Sequence, residues 1–145
     1  MEHHLILRVI TKILIAPILI FAFYVQFHGD YSPGGGFQAG IIFAVGFILY
    51  GLVFGLRQTK NVLPEWVVHR LMALGVLIYA GTGVAGLLLG GNFLDYNVLA
   101  HIPQHGQHNG LLIIELGVGT TVAAVMISIF YAFASRPPRI SDEDW

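Results

Sequence analysis

Long apolar runs alternate with short polar breaks along the chain, and the pattern repeats four times. The first run, Val9 to Phe27, is interrupted only by Thr11, Lys12, Pro17 and Gln26. The second, Phe37 to Leu56, and the third, Leu71 to Gly90, contain no charge, and the fourth, Leu111 to Ala134, carries the single carboxylate Glu115. At the rise of an α-helix each run reaches about 28 Å or more, the thickness of a bilayer's hydrocarbon core. The pattern therefore predicts an all-α integral membrane protein, one domain over residues 1–145, with transmembrane helices at about 9–27, 37–56, 71–90 and 111–134. Pro17 is expected to kink the first span, and Lys12 to lie near an interface where its ammonium reaches water along an apolar stem.

Small residues are spaced along the spans as helix-packing faces. Gly36, Gly40 and Ala44 recur every four positions, with Gly51 and Gly55 continuing the stripe, and Gly86 and Gly90 repeat the spacing in the third span beside Gly75 and Gly83. In lipid, where burial of apolar surface gives no advantage, close approach of small residues is a main force of helix association. These positions predict helices packed in protein. The row Thr120, Ala124, Ser128 and Ala132 gives the fourth span the same character.

Composition agrees with a membrane setting: 56% of residues are hydrophobic and 10% charged, and the mean hydropathy of +0.75 lies outside the soluble range. A net charge of −1 with no basic stripe excludes nucleic acid as a partner. The lack of cysteine excludes disulfides, thiolate metal sites and iron–sulfur ligation. Arg8 and Lys12 precede an apolar run with no small-residue cleavage site behind it, which reads as a retained signal anchor. With four spans, Arg8, Lys12, Arg57, Lys60, Arg70, Arg136 and Arg139 all fall on one side, leaving none of the 7 basic residues on the other. Both termini are therefore expected in the cytoplasm.

Candidate chemistry gathers on the opposite side. Between the first two spans lies Phe27-His28-Gly29-Asp30-Tyr31-Ser32-Pro33-Gly34-Gly35-Gly36-Phe37-Gln38-Ala39-Gly40. Pro33 fixes one backbone angle, and Gly34, Gly35 and Gly36 leave main chain bare beside the anchor Phe37. The loop reads as a docking surface or the mouth of a cation path, against an ordinary interhelical turn. Glu115, in the outer part of the fourth span, is a proton or cation relay candidate with Asp30 and His28 as expected neighbours. The competing reading pairs Glu115 with a donor on another subunit. His101, His105 and His108 have ligand-like spacing, but Pro103, Gly106 and Gly110 argue against a regular helix there, so no metal site is expected. No histidines lie within spans to hold a haem, and no cofactor or catalytic residue is predicted.

The loop string, with Gly110-Leu111-Leu112-Ile113-Ile114-Glu115-Leu116-Gly117-Val118-Gly119, resembles the B subunit of the Mrp-type (Mnh-type) multisubunit sodium/proton antiporters over essentially the whole chain. The resemblance implies a non-enzymatic accessory subunit in a bacterial or archaeal cell membrane, assembled with other subunits of the antiporter. It implies sodium ions and protons as the transported species, with the main proton chemistry carried by larger subunits. A related domain in ion-translocating membrane-bound hydrogenases is the alternative. A bare mid-membrane zone suits a subunit that packs against others better than a self-sufficient transporter.

Overall fold

The computed structural model describes residues 5–29 and 34–136 and is helical throughout its regular elements. Helix α1 is Leu5–Phe27, α2 Gly36–Phe54, α3 Leu56–Val62, α4 Glu65–Leu88 and α5 Pro103–Ala134, with a 3-10 turn at Tyr96–Leu99 before α5. Four of them, α1, α2, α4 and α5, are long and apolar enough to cross a membrane, which agrees with the four runs. Pro17 lies inside α1, which continues on both sides of it.

The connections differ from expectation, each for a local reason. The polar stretch after α2 is largely helical: Gly55, at φ 94°, breaks the chain, and α3 begins at once. That left-handed angle suits glycine. Gly55 therefore ends α2, and nothing from this chain lies within 4 Å of the space a side chain would fill. Gly90, at φ 87° just beyond α4, is likewise in a turn, with nothing from this chain within 4 Å of an added Cβ. Helix α4 starts six residues before its apolar run because Pro64 supplies a preset entry angle and Glu65 sits in the first turn, complementing the helix dipole.

The larger correction concerns α5, which begins at Pro103 and carries His105, Gly106, His108 and Gly110 on regular helix. Proline at the first helical position costs no hydrogen bond. The two glycines admit Tyr96: an added Cβ would overlap the Tyr96 carbonyl at Gly106, and at Gly110 would stand 2.5 Å from its ring. Burial pushes the Tyr96 phenol up from its ordinary range. At 32 residues, α5 is about 48 Å long, well beyond a hydrocarbon core of about 30 Å, so its first turns stand outside. Glu115 thus lies about 18 Å along the helix, not one turn from its start.

The long helices form a row in the order α1, α2, α5, α4. Helix α5 occupies the middle, held on each flank by glycine. On one side a Cβ at Gly40 would lie 2.6 Å from the Gly119 carbonyl; on the other, one at Gly75 would lie 2.6 Å from the Gly117 carbonyl. Ala44 is buried in a cluster with Val68, Ala124, Ile127 and Tyr131, and Gly51 admits the Phe130 ring. Gly86 faces the Asn92 and Asp95 carbonyls of the loop beyond α4.

Basic residues collect at one end of this row. Arg8 and Lys12 lie over the Phe54 ring at 5.2 and 5.6 Å. Lys60 pairs with Glu65 at 2.6 Å and donates to the Ser135 hydroxyl at 3.1 Å, while Tyr131 donates to the Leu63 carbonyl at 2.8 Å. These contacts join α3 to the ends of α4 and α5.

Candidate functional site

At the opposite end, α1 closes with the His28 amide donating to the Tyr24 carbonyl at 3.1 Å and the His28 ring stacked on Tyr24 at 4.2 Å. Helix α2 opens at Gly36 with Gly35 as its cap and no capping side chain. Its first amides therefore face outward unpaired by the helix, at the positive end of the dipole. Helix α5 delivers Glu115 to this point.

The half-buried Glu115 side chain occupies space that two glycines leave empty. An added Cβ at Gly29 would stand 2.9 and 3.0 Å from the two carboxylate oxygens, and one at Gly35 would stand 3.1 Å from Oε1. At Gly36 a Cβ would overlap the backbone carbonyl of Glu115 itself. The three missing side chains let α5 approach the start of α2 closely enough for the carboxylate to reach the connection between α1 and α2. The result is a carboxylate held in a glycine cradle at a helix N-terminus, where negative charge is favourably placed.

The structure thus brings together Glu115, Gly35 and Gly36, with His28 adjoining the cradle through Gly29. Gly34 lies against the Val25 carbonyl, 3.0 Å from an added Cβ. Phe37 is 57% exposed on the outer surface of α2. Asp30, Ser32 and Pro33 lie outside the described residues. His101 precedes α5 and His105 and His108 are exposed on its first turns; among the described residues no three His, Asp or Glu side chains converge as metal ligands.

Gln26 is a residue the sequence pattern did not single out beyond its interruption of an apolar run. It is 9% exposed, its Oε1 sits 2.5 Å from where a Gly119 Cβ would be, and it lines a cavity of about 290 Å³. The cavity crosses all four long helices, from Ala22 and Gln26 on α1 through Phe43 and Ala123 to Val68 on α4. The available signal was an uncharged polar side chain on the last turn of a span.

A row of four membrane-length helices joined by glycine contacts, with its charges at the two ends, defines a multi-pass membrane protein. Residues 6–128 match the family described as a domain related to the MnhB subunit of Na+/H+ antiporter, and the chain belongs to that family. It is 35% identical over 136 residues to the antiporter subunit mnhB2 of Staphylococcus haemolyticus, covering 92% of this chain and 96% of that one. Counterparts of the same name in Staphylococcus epidermidis and Staphylococcus aureus are 33% identical with the same coverage.

Proposed function

We propose that this chain is an accessory subunit of a multisubunit sodium/proton antiporter, with both termini in the cytoplasm and the glycine cradle on the outer side. The family and the names of its relatives support the antiporter reading. Accessory status is supported by the charge layout: across 13–27, 37–54, 71–88 and 116–134 the only ionisable side chains are Tyr24, Tyr50, Tyr79 and Tyr131, which leaves Lys12 and Glu115, towards opposite ends, as the charged groups within the spans. A proton or sodium ion crossing the whole bilayer would need groups from elsewhere. Glu115 in its cradle is the observation that carries a direct role. It supplies one fixed negative charge near the outer surface, with Asp30 and His28 in the adjoining connection, and the bare backbone from Gly34 to Phe37 forms the docking edge for a neighbouring subunit.

Glu115→Gln preserves shape and removes the charge. In everted vesicles its sodium-dependent proton exchange should fall about tenfold, or its half-saturating sodium rise by that factor, equivalent to about 1.4 kcal/mol. Native gels should show an intact complex. Wild-type kinetics across pH would reject the charge as part of the ion path; loss of the complex would assign Glu115 to assembly.

Orientation is tested with single cysteines in this cysteine-free chain. Thr59 is fully buried, so the inner probe belongs at the exposed Gln58 and the outer one at the exposed Gln104. An impermeant thiol reagent applied to whole cells should label position 104 and spare position 58. The reverse pattern would invert the topology.

A further inference from the structure

The cavity that crosses the four helices combines two properties. Its walls are apolar side chains, among them Phe43, Phe47, Leu71 and Ala123, yet Gln26 also lines it. The Gln26 residue is more than nine-tenths buried, and among the described residues its side-chain amide has no hydrogen-bond partner. Among the described residues no unpartnered side-chain polar atom is fully sealed from open space, and Gln26 is one of the residues that line this cavity. Thr120 lines the same space with its hydroxyl proton committed to the Leu116 carbonyl at 2.8 Å, leaving an oxygen free to accept. Along α5 the cavity runs from Leu116 to Ile127, about 17 Å or three helical turns.

We propose that this cavity is the seat of one transmembrane helix from another subunit of the antiporter, whose apolar side chains fill it and whose single polar side chain hydrogen-bonds the Gln26 amide. The α5 residues that line it, Leu116 to Ile127, cover about three helical turns, a stretch that the side chains of one packed helix would cover. A lipid acyl chain would fill the apolar part and leave the amide unsatisfied in hydrocarbon, an unfavourable arrangement. A string of waters would find apolar walls and few partners. An interhelical hydrogen bond within an otherwise apolar contact satisfies both properties at once. The proposal rests on the reading of the chain as a subunit of a larger complex.

The test replaces Phe43, on the cavity wall, by p-benzoylphenylalanine in native membranes of cells making the whole complex, with Phe21, which is exposed and lines no part of the cavity, as the control position. Irradiation should join position 43 to a single other membrane subunit, and peptide mapping should place the adduct on a span with a polar side chain within one turn. Gln26→Leu should lower the yield about threefold to tenfold, the range expected for loss of one interhelical hydrogen bond in a bilayer. Ala123→Leu, which fills the cavity from α5, should abolish it and serves where Gln26→Leu does not accumulate. Adducts to lipid alone, adducts equal to those at Phe21, or a yield unchanged by either substitution would overturn the proposal. Sodium-dependent proton exchange measured in the same wild-type membranes reports separately on the antiporter reading, so that either idea can fail without the other.

Discussion

Replacing Gly36 by alanine is expected to separate α2 from α5 and abolish exchange. The added methyl would overlap the backbone carbonyl of Glu115, and a backbone atom, unlike the far end of a side chain, cannot rotate aside. The two helices must then move apart along the contact that also includes Gly40 and Gly119. Overpacking typically costs about 1–3 kcal/mol and sometimes more, and the clash of a methyl with fixed backbone places Gly36→Ala at or above about 3 kcal/mol. For a chain of this size that lowers the melting midpoint by about 10 °C. A fluorescence-detected size-exclusion melt in mild detergent reads it. Gly81, also inside a helix but with nothing within 4 Å of an added Cβ, is the control: Gly81→Ala should hold or raise the midpoint, since alanine is the better helix former by about 1 kcal/mol. Equal melting of Gly36→Ala and wild type would mean that α2 and α5 are not in contact at that point.

Gly75→Ala is expected to be about as damaging to stability, again by about 3 kcal/mol, but to act on the other flank of α5. There the new methyl would overlap the Thr121 hydroxyl and stand 2.6 Å from the Gly117 carbonyl and 2.8 Å from the Thr121 amide. Helix α4 would be pushed off while the cradle around Glu115 stays intact, because Gly29, Gly35 and Gly36 belong to the opposite contact. The two variants are thus predicted to separate in function. Gly75→Ala should reduce the amount of assembled complex in proportion to its lower stability, with exchange per assembled complex unchanged, whereas Gly36→Ala should lose exchange in whatever complex survives. Native-gel quantitation beside vesicle exchange distinguishes them; equal loss per complex would remove the cradle's special standing.

The four spans were legible because bilayer thickness imposes a run length that few other structures require. Their ends were less so. Pro103, Gly106 and Gly110 read as helix breakers by local preference, yet proline at a first helical position and glycines beneath Tyr96 are compatible with helix once a neighbouring ring needs the space. Gly55 and Gly90 continued a four-residue spacing past the point where their helices stop, since spacing alone does not report a left-handed backbone angle. Glu115 stood out as a carboxylate in an apolar run. The shared outer side already pointed it towards the loop that holds His28 and Asp30, but the close approach of Gly29 and Gly35 to a carboxylate some eighty positions away was not visible, because no local pattern encodes it. Gln26 was overlooked for the same reason: its burial depends on Gly119.

The central place of α5 in the row has a consequence for biogenesis. Helices leave the translocon in chain order, so α1 and α2 can pair at once, but α4 enters the bilayer before the helix it is built to rest against. Until α5 follows, the face of α4 around Gly75 is covered only by lipid, and the chain exists as a pair and a solitary helix. Mutations that delay insertion of α5, or messages truncated ahead of it, should therefore yield a product that membrane quality-control proteases recognise by α4 rather than by the interrupted end.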